Sequence, residues 1–171
     1  MNAMEFWQQS EGEWFSHRTS HDIAQQQSDS EKAMLAVTLV EPNPVDLATI
    51  YQTHGISEQP ASVKELNVAT YGDVRSQGDL PKGSLTLLIL PDTEAGLSGR
   101  LLGADVSSTF TLGADGVLEI IGDRGDLQVE ERIWFESPNL RLRTSSVAKQ
   151  GTLLVASFFS EIRRVQTLPK S

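Results

Sequence analysis

Apolar residues recur at every second position through much of this chain, and the stretch Glu130–Ser146 shows the pattern plainly. Ile133 and Phe135, then Leu140 and Leu142, are spaced by two, the period of a strand whose faces meet different surroundings. The two runs meet at Ser137-Pro138-Asn139, a turn composition. The same reading predicts strands over Gly12–His21, Ala33–Val40, Val63–Tyr71, Ser84–Leu90, Ser107–Leu112, Val117–Ile121, Leu127–Glu136, Leu140–Ala148 and Thr152–Glu161. The polar run Gln25–Ser30 reads as a turn, Ala114-Asp115-Gly116 as a hairpin and Gly151 as the last tight turn. Helical signals are few. Met4–Gln9 suits a short helix burying Phe6 or Trp7. Asn43-Pro44 caps and starts a second, with Asp46 in its first turn, Gly55 after its end, and a stripe of Leu47, Ile50, Tyr51 and His54. That stripe predicts a helix lying against or across a sheet.

Many strands joined by short turns, with one or two short helices, predict an all-β fold: a closed or nearly closed antiparallel barrel. No internal repeat or linker divides the chain, so residues 1–171 read as a single domain. Gly12-Glu13-Trp14 on the first strand, with Arg163 or Arg164 after the last, resembles the lipocalin and calycin signature. In such barrels the tryptophan closes the bottom and the arginine packs across its ring. Barrels of this size commonly enclose one small ligand.

Composition narrows the function. Hydrophobic content of 39% and charged content of 22% describe a globular protein. A net charge of -9 argues against nucleic acid or an anionic membrane as partner. The longest apolar run, Leu85–Leu90, is strand-sized, and the N-terminus lacks the pattern of a secretory signal. With no cysteine, the chain has no disulfide, no thiolate metal site and no thioether-linked cofactor of its own. A cytoplasmic location is the simplest assignment.

Candidate chemistry centres on the arginines. Arg141 and Arg143 share a strand face, with alpha carbons roughly 7 Å apart, a spacing that suits a ligand with two separated carboxylates. A surface hairpin with solvated charges fits the same pattern. Arg18 shares the face of Trp14, Ser16 and Ser20, so if it turns inward it needs a carboxylate from the protein or from a ligand. His17 and His21 share a face but stand roughly 13 Å apart, too far for one zinc, and no metal site is expected. The register of the 130–146 hairpin stays open. A two-residue connection matches Ile133 with Leu142 and Phe135 with Leu140, and puts Glu130 on the arginine face. A three-residue loop puts Glu131 there instead.

The blocks Trp14–His21 and Glu131–Ser145 closely resemble the S-type phycobiliprotein chromophore lyases, the CpcS/CpeS family. Gly99-Arg100-Leu101-Leu102 and Ser157–Arg163 are similar to that family too. The resemblance implies a lipocalin-like barrel of roughly ten strands, similar to fatty-acid-binding proteins. It implies noncovalent binding of a linear tetrapyrrole, a bilin of phycocyanobilin type, as substrate. The bilin would then pass to a cysteine of a phycobiliprotein subunit of phycocyanin or allophycocyanin type. Matching positions imply that Arg18, His21, Arg141, Arg143 and Ser145 contact the bilin, with Trp134 counted among them, and that Glu131 is the catalytic carboxylate. Where many members carry Trp-Glu-Gly, this chain has Thr70-Tyr71-Gly72, so a pocket aromatic is either missing or replaced by Tyr71. A bilin or fatty-acid carrier without transfer activity is the alternative. A partner lyase, or a homodimer through an exposed edge strand, is left open.

Overall fold

Trp14 has no exposed surface, and the elements around it explain where the chain closes. The computed structural model of the protein describes residues 1–57, 62–73 and 78–165. A helix, α1 (Ala3–Gln9), precedes the first strand. Asn2 caps it by accepting from the Glu5 amide while the Glu5 carboxylate accepts from the Asn2 amide, a reciprocal capping box. Sequence offered Phe6 or Trp7 as the buried side chain; both are buried, with Ala3. Phe6 meets the ring of Phe135 at 5.1 Å, and Trp14 donates its indole N–H to the Ser10 carbonyl at 2.9 Å.

Ten strands follow. They are β1 (Gly12–Asp22), β2 (Gln27–Val40), β3 (Lys64–Tyr71), β4 (Gly83–Pro91), β5 (Ser98–Leu102), β6 (Ser107–Leu112), β7 (Leu118–Arg124), β8 (Leu127–Ser137), β9 (Leu140–Lys149) and β10 (Thr152–Arg163). Each pairs antiparallel with its chain neighbour and β10 pairs back onto β1, so the sheet closes into a barrel. Alternation sends Leu35, Val37, Leu66, Leu87, Leu101, Leu118 and Ile133 into one buried cluster that also takes in α1. Every strand has two neighbours, yet among the described residues 27–33 of β2 pair only with β1 and 83–87 of β4 only with β3, so these segments keep an unpaired edge.

The arginine that follows the last strand is resolved by its contacts. Arg163 stacks on Trp14, 4.2 Å from the ring centroid, and donates to the carbonyls of Gln9, Glu11 and Pro138. Arg164 instead pairs with Glu13 at the surface. Gly12 is required beside them: its φ is +127°, and an added Cβ would stand 2.9 Å from Arg163 Nη1.

Two local readings are corrected. β5 has no counterpart among the strands read from sequence, because it is five residues long and Gly99 and Arg100 interrupt its apolar alternation. The reversal between β1 and β2 falls on residues 23–26, and Gln27–Ser30 are paired strand. Their side chains are polar because this part of the hairpin is exposed, with no core to face. The second helix, α2 (Pro44–Thr53), forms as its signals require, with the Asn43 side chain accepting from the Val45 amide. Its Ile50 packs on Leu88, Leu90 and Leu102, outside the barrel, with Leu47 and Tyr51 alongside.

Candidate functional site

The register of β8 and β9 decides which carboxylate faces inward. Ser137 pairs with Leu140 across a two-residue turn, Pro138-Asn139, while Phe135 pairs with Arg141, so a bulge at Glu136 takes up one residue. The net register is that of the longer connection: Glu131 stands opposite Ser145, and Ile133 opposite Arg143. The apolar-to-apolar match of Phe135 with Leu140 is not realised. The inward face of β9 carries Arg141 and Arg143 into a core that supplies Phe135 and Ile133 as their neighbours.

A cavity of about 490 Å³ occupies the barrel. Leu35, Val37, Leu66, Val68, Leu85 and Leu87 form an apolar wall, and Glu131, Arg141 and Arg143 a charged one. Trp7 lines the closed end. This division suits a ligand with a long apolar body and acidic groups.

The charges form a chain of contacts. Glu161 on β10 is completely buried, and Arg141 reaches its Oε1 with both Nε and Nη2, each at 2.9 Å. Arg143 Nη2 lies 3.4 Å from the other oxygen, Oε2, and Arg143 Nη1 lies 4.0 Å from Glu131 Oε2. The Arg143 guanidinium also sits over Phe159 at 3.8 Å, and Arg141 lies 5.1 Å from the Trp14 ring. Burial pulls the Arg141 pKa down, and the carboxylate of Glu161 pushes back against that shift. An arginine this deep needs a carboxylate within contact distance, and Glu161 supplies it.

The pair therefore differs from two equivalent free cations. Arg141 is 5% exposed and engaged by Glu161, near the Trp14 end of the barrel. Arg143 is more open, with its side chain 21% exposed and its Nε buried without a hydrogen-bond partner among the described residues.

The other site residues fall into two groups. Arg18 faces inward as Trp14 does, but protein carboxylates answer it: Glu31 at 2.8 Å and Asp29 at 3.7 Å, both from β2. Ser145 shares the inward face of Arg143 and stands opposite Ser157, which in turn hydrogen-bonds Ser20. His21 and Trp134 stand apart from the cavity. Both lie on the outer face: His21 Nδ1 meets Ser28 Oγ at 2.8 Å, and the Trp134 indole donates to Glu136 at 2.9 Å. Strand alternation requires this, since Arg18 and Ser20 point inward and Glu131 and Ile133 do likewise. Thr70 lines the cavity and Tyr71 does not, so Tyr71 supplies no aromatic ring there.

Glu161, Asp105 and Arg124 were not singled out from sequence. Glu161 had a legible signal: an acidic residue in step with Ser157 and Phe159 on a strand face that also bears Arg163. Arg124 and Asp105 sit beside turns, and charge there is ordinary. Among the described residues no three His, Asp or Glu side chains are grouped as metal ligands, and no helix is long and apolar enough to cross a membrane.

The profile of the CpeS-like protein family matches residues 2–164. The Chromophore lyase CpcS/CpeS of Thermosynechococcus vestitus is 37% identical over 177 residues, covering 99% of this chain and 96% of its own length. The Phycocyanobilin lyase subunit CpcS of a Picosynechococcus species is 28% identical over 177 residues, covering 98% of this chain and 88% of its own. The solved structure of the S-type phycobiliprotein lyase CPES from Guillardia theta superposes with a TM-score of 0.78 at 28% identity, covering 98% of this chain and 95% of that one.

Proposed function

This chain belongs to the CpeS-like protein family, and from that premise we propose that it is a phycobiliprotein chromophore lyase. It binds a bilin noncovalently and promotes thioether attachment to a cysteine of a phycobiliprotein subunit. The observation that carries the reading is the cavity itself: an apolar wall facing Glu131 and Arg143 across about 490 Å³. A bilin has a conjugated apolar body, pyrrole nitrogens that take up a proton, and two propionates. The wall shields the first, Glu131 meets the second, and Arg143, the more open of the two inner arginines, binds a propionate.

In the reaction, the acceptor's cysteine thiolate adds to the ethylidene carbon of the bilin's terminal ring. One C–S bond forms, the ethylidene π pair moves into the conjugated system, and a proton is taken up there. Glu131 stabilises the protonated, more electrophilic bilin by facing its pyrrole N–H groups. Arg143 and the apolar wall hold the tetrapyrrole in one extended orientation, so that the reacting carbon meets the thiol in a productive geometry. Arg141, carrying Glu161, forms the charged floor against which Arg143 is set. The chain lacks cysteine, so it offers no competing acceptor. A cytoplasmic setting fits this absence and the cyanobacterial relatives.

The test is to mix the protein with phycocyanobilin and an apo-phycocyanin or apo-allophycocyanin subunit, then measure covalent bilin on the acid-denatured subunit. Covalent product should exceed the spontaneous background. A spectral shift with no covalent gain would overturn the lyase reading in favour of a bilin carrier. Glu131→Gln should keep the spectral shift and slow transfer; a full transfer rate would remove Glu131 from the chemistry.

A further inference from the structure

The cavity's inner charges already balance one another. Arg141 and Arg143 share Glu161, and Arg143 also faces Glu131. Two guanidiniums therefore meet two carboxylates. Arg18 is held in the same way by Glu31 and Asp29. A ligand with two carboxylates entering this set finds Arg143 partly free, but no second uncompensated cation.

Arg124 is that cation. It ends β7 opposite Leu127, at the end of the barrel away from α1, and it lines the main cavity. Among the described residues no carboxylate lies within ion-pair distance of it. Its acidic neighbours are accounted for. Asp126 is held by Lys149 at 3.0 Å, and Asp123, one residue along β7, lines the small alcove beside Arg124 without an ion pair to it. Asp105 lines the same cavity without pairing with it.

The strand is built to let this side chain turn inward. Ile120, Gly122 and Arg124 share the inner face of β7, opposite Glu131, Val129 and Leu127. At Gly122 an added Cβ would stand 2.3 Å from Ser108 Oγ and 2.5 Å from the Ser107 carbonyl oxygen, so no side chain fits there. Beside it, next to the main cavity, lies an alcove of about 80 Å³ lined by Ile120, Gly122, Asp123, Arg124 and Glu131. The only cation of β7 thus reaches into the space that Glu131 also borders.

We infer that Arg124 is a second carboxylate-binding residue of the cavity, pairing with one propionate of the tetrapyrrole and selecting dicarboxylate ligands over their esters. The inference rests on the bilin-lyase reading and adds a residue to it. Arg124 is exposed, so water screens the contact and the effect is moderate.

The experiment titrates wild type, Arg124→Ala and Arg124→Lys with phycocyanobilin and, separately, with its dimethyl ester, following bilin absorbance. Arg124→Ala should raise the Kd for the diacid about three- to tenfold and leave the Kd for the ester unchanged, and Arg124→Lys should recover part of the loss. Equal diacid affinity in wild type and Arg124→Ala overturns the inference, and so does an equal loss for diacid and ester, the mark of a structural role. If wild type binds neither form, the lyase reading itself falls, and the inference with it.

Discussion

Glu161 and Arg143 do different work although they touch. Glu161 has no exposed surface and carries Arg141 at 2.9 Å, so its charge is a condition of folding. Glu161→Gln leaves a buried guanidinium without its counter-charge and should cost about 3–5 kcal/mol, read as a lower urea midpoint. Arg143 has a more open side chain that borders the cavity. Arg143→Ala should weaken phycocyanobilin by about 1.5–3 kcal/mol, a tenfold or larger rise in Kd, in a chain that still unfolds cooperatively. Unchanged affinity would remove Arg143 from the ligand contacts. Both residues stand on inward faces of adjacent strands, and only their depth separates a structural role from a binding one.

At the scale of elements, α1 and the β8–β9 hairpin each settle something for the site. α1 stops the barrel: Phe6 is fully buried against Phe135 and Trp7, and Arg163 ties the segment after the helix to the β8–β9 turn. Phe6→Ala should therefore destabilise the protein by about 3–5 kcal/mol in urea unfolding, since the cavity it leaves lies under a closed sheet that cannot collapse onto it. A loss below about 1 kcal/mol would mean that α1 is detachable from the barrel. The hairpin acts through its bulge at Glu136, which sets a two-residue turn against the register that turns Glu131 inward. One extra residue exchanges the two faces of a strand. A carboxylate's access to the cavity thus depends on a position that touches no ligand.

Over the whole molecule, the net charge of -9 governs encounters. With an acidic acceptor, like charges repel at low salt and screening relieves the repulsion. The rate of transfer at subsaturating acceptor should accordingly rise, or hold steady, as salt is raised from low to physiological ionic strength. A steep fall would point instead to local opposite-charge contacts that steer the encounter.

Much of this was legible in the chain. Period-two patterning, turn residues and the Asn43-Pro44 cap determine strands, turns and the second helix, because each depends on neighbours within a few residues. Gly12-Glu13-Trp14 with a terminal arginine announces the barrel's closed end, and the Trp14–His21 and Glu131–Ser145 blocks announce the family. Tertiary structure decided the rest. Arg163, not Arg164, stacks on Trp14, because closure brings β10 beside β1. His21 and Trp134 lie outside, and Glu131 inside, because strand parity and one bulge assign faces that composition does not reveal. Arg141 and Arg143 read alike in sequence, two residues apart on one strand. They became unequal only when β10 delivered Glu161 to one more closely than to the other: a buried charge takes the partner that the fold brings within reach.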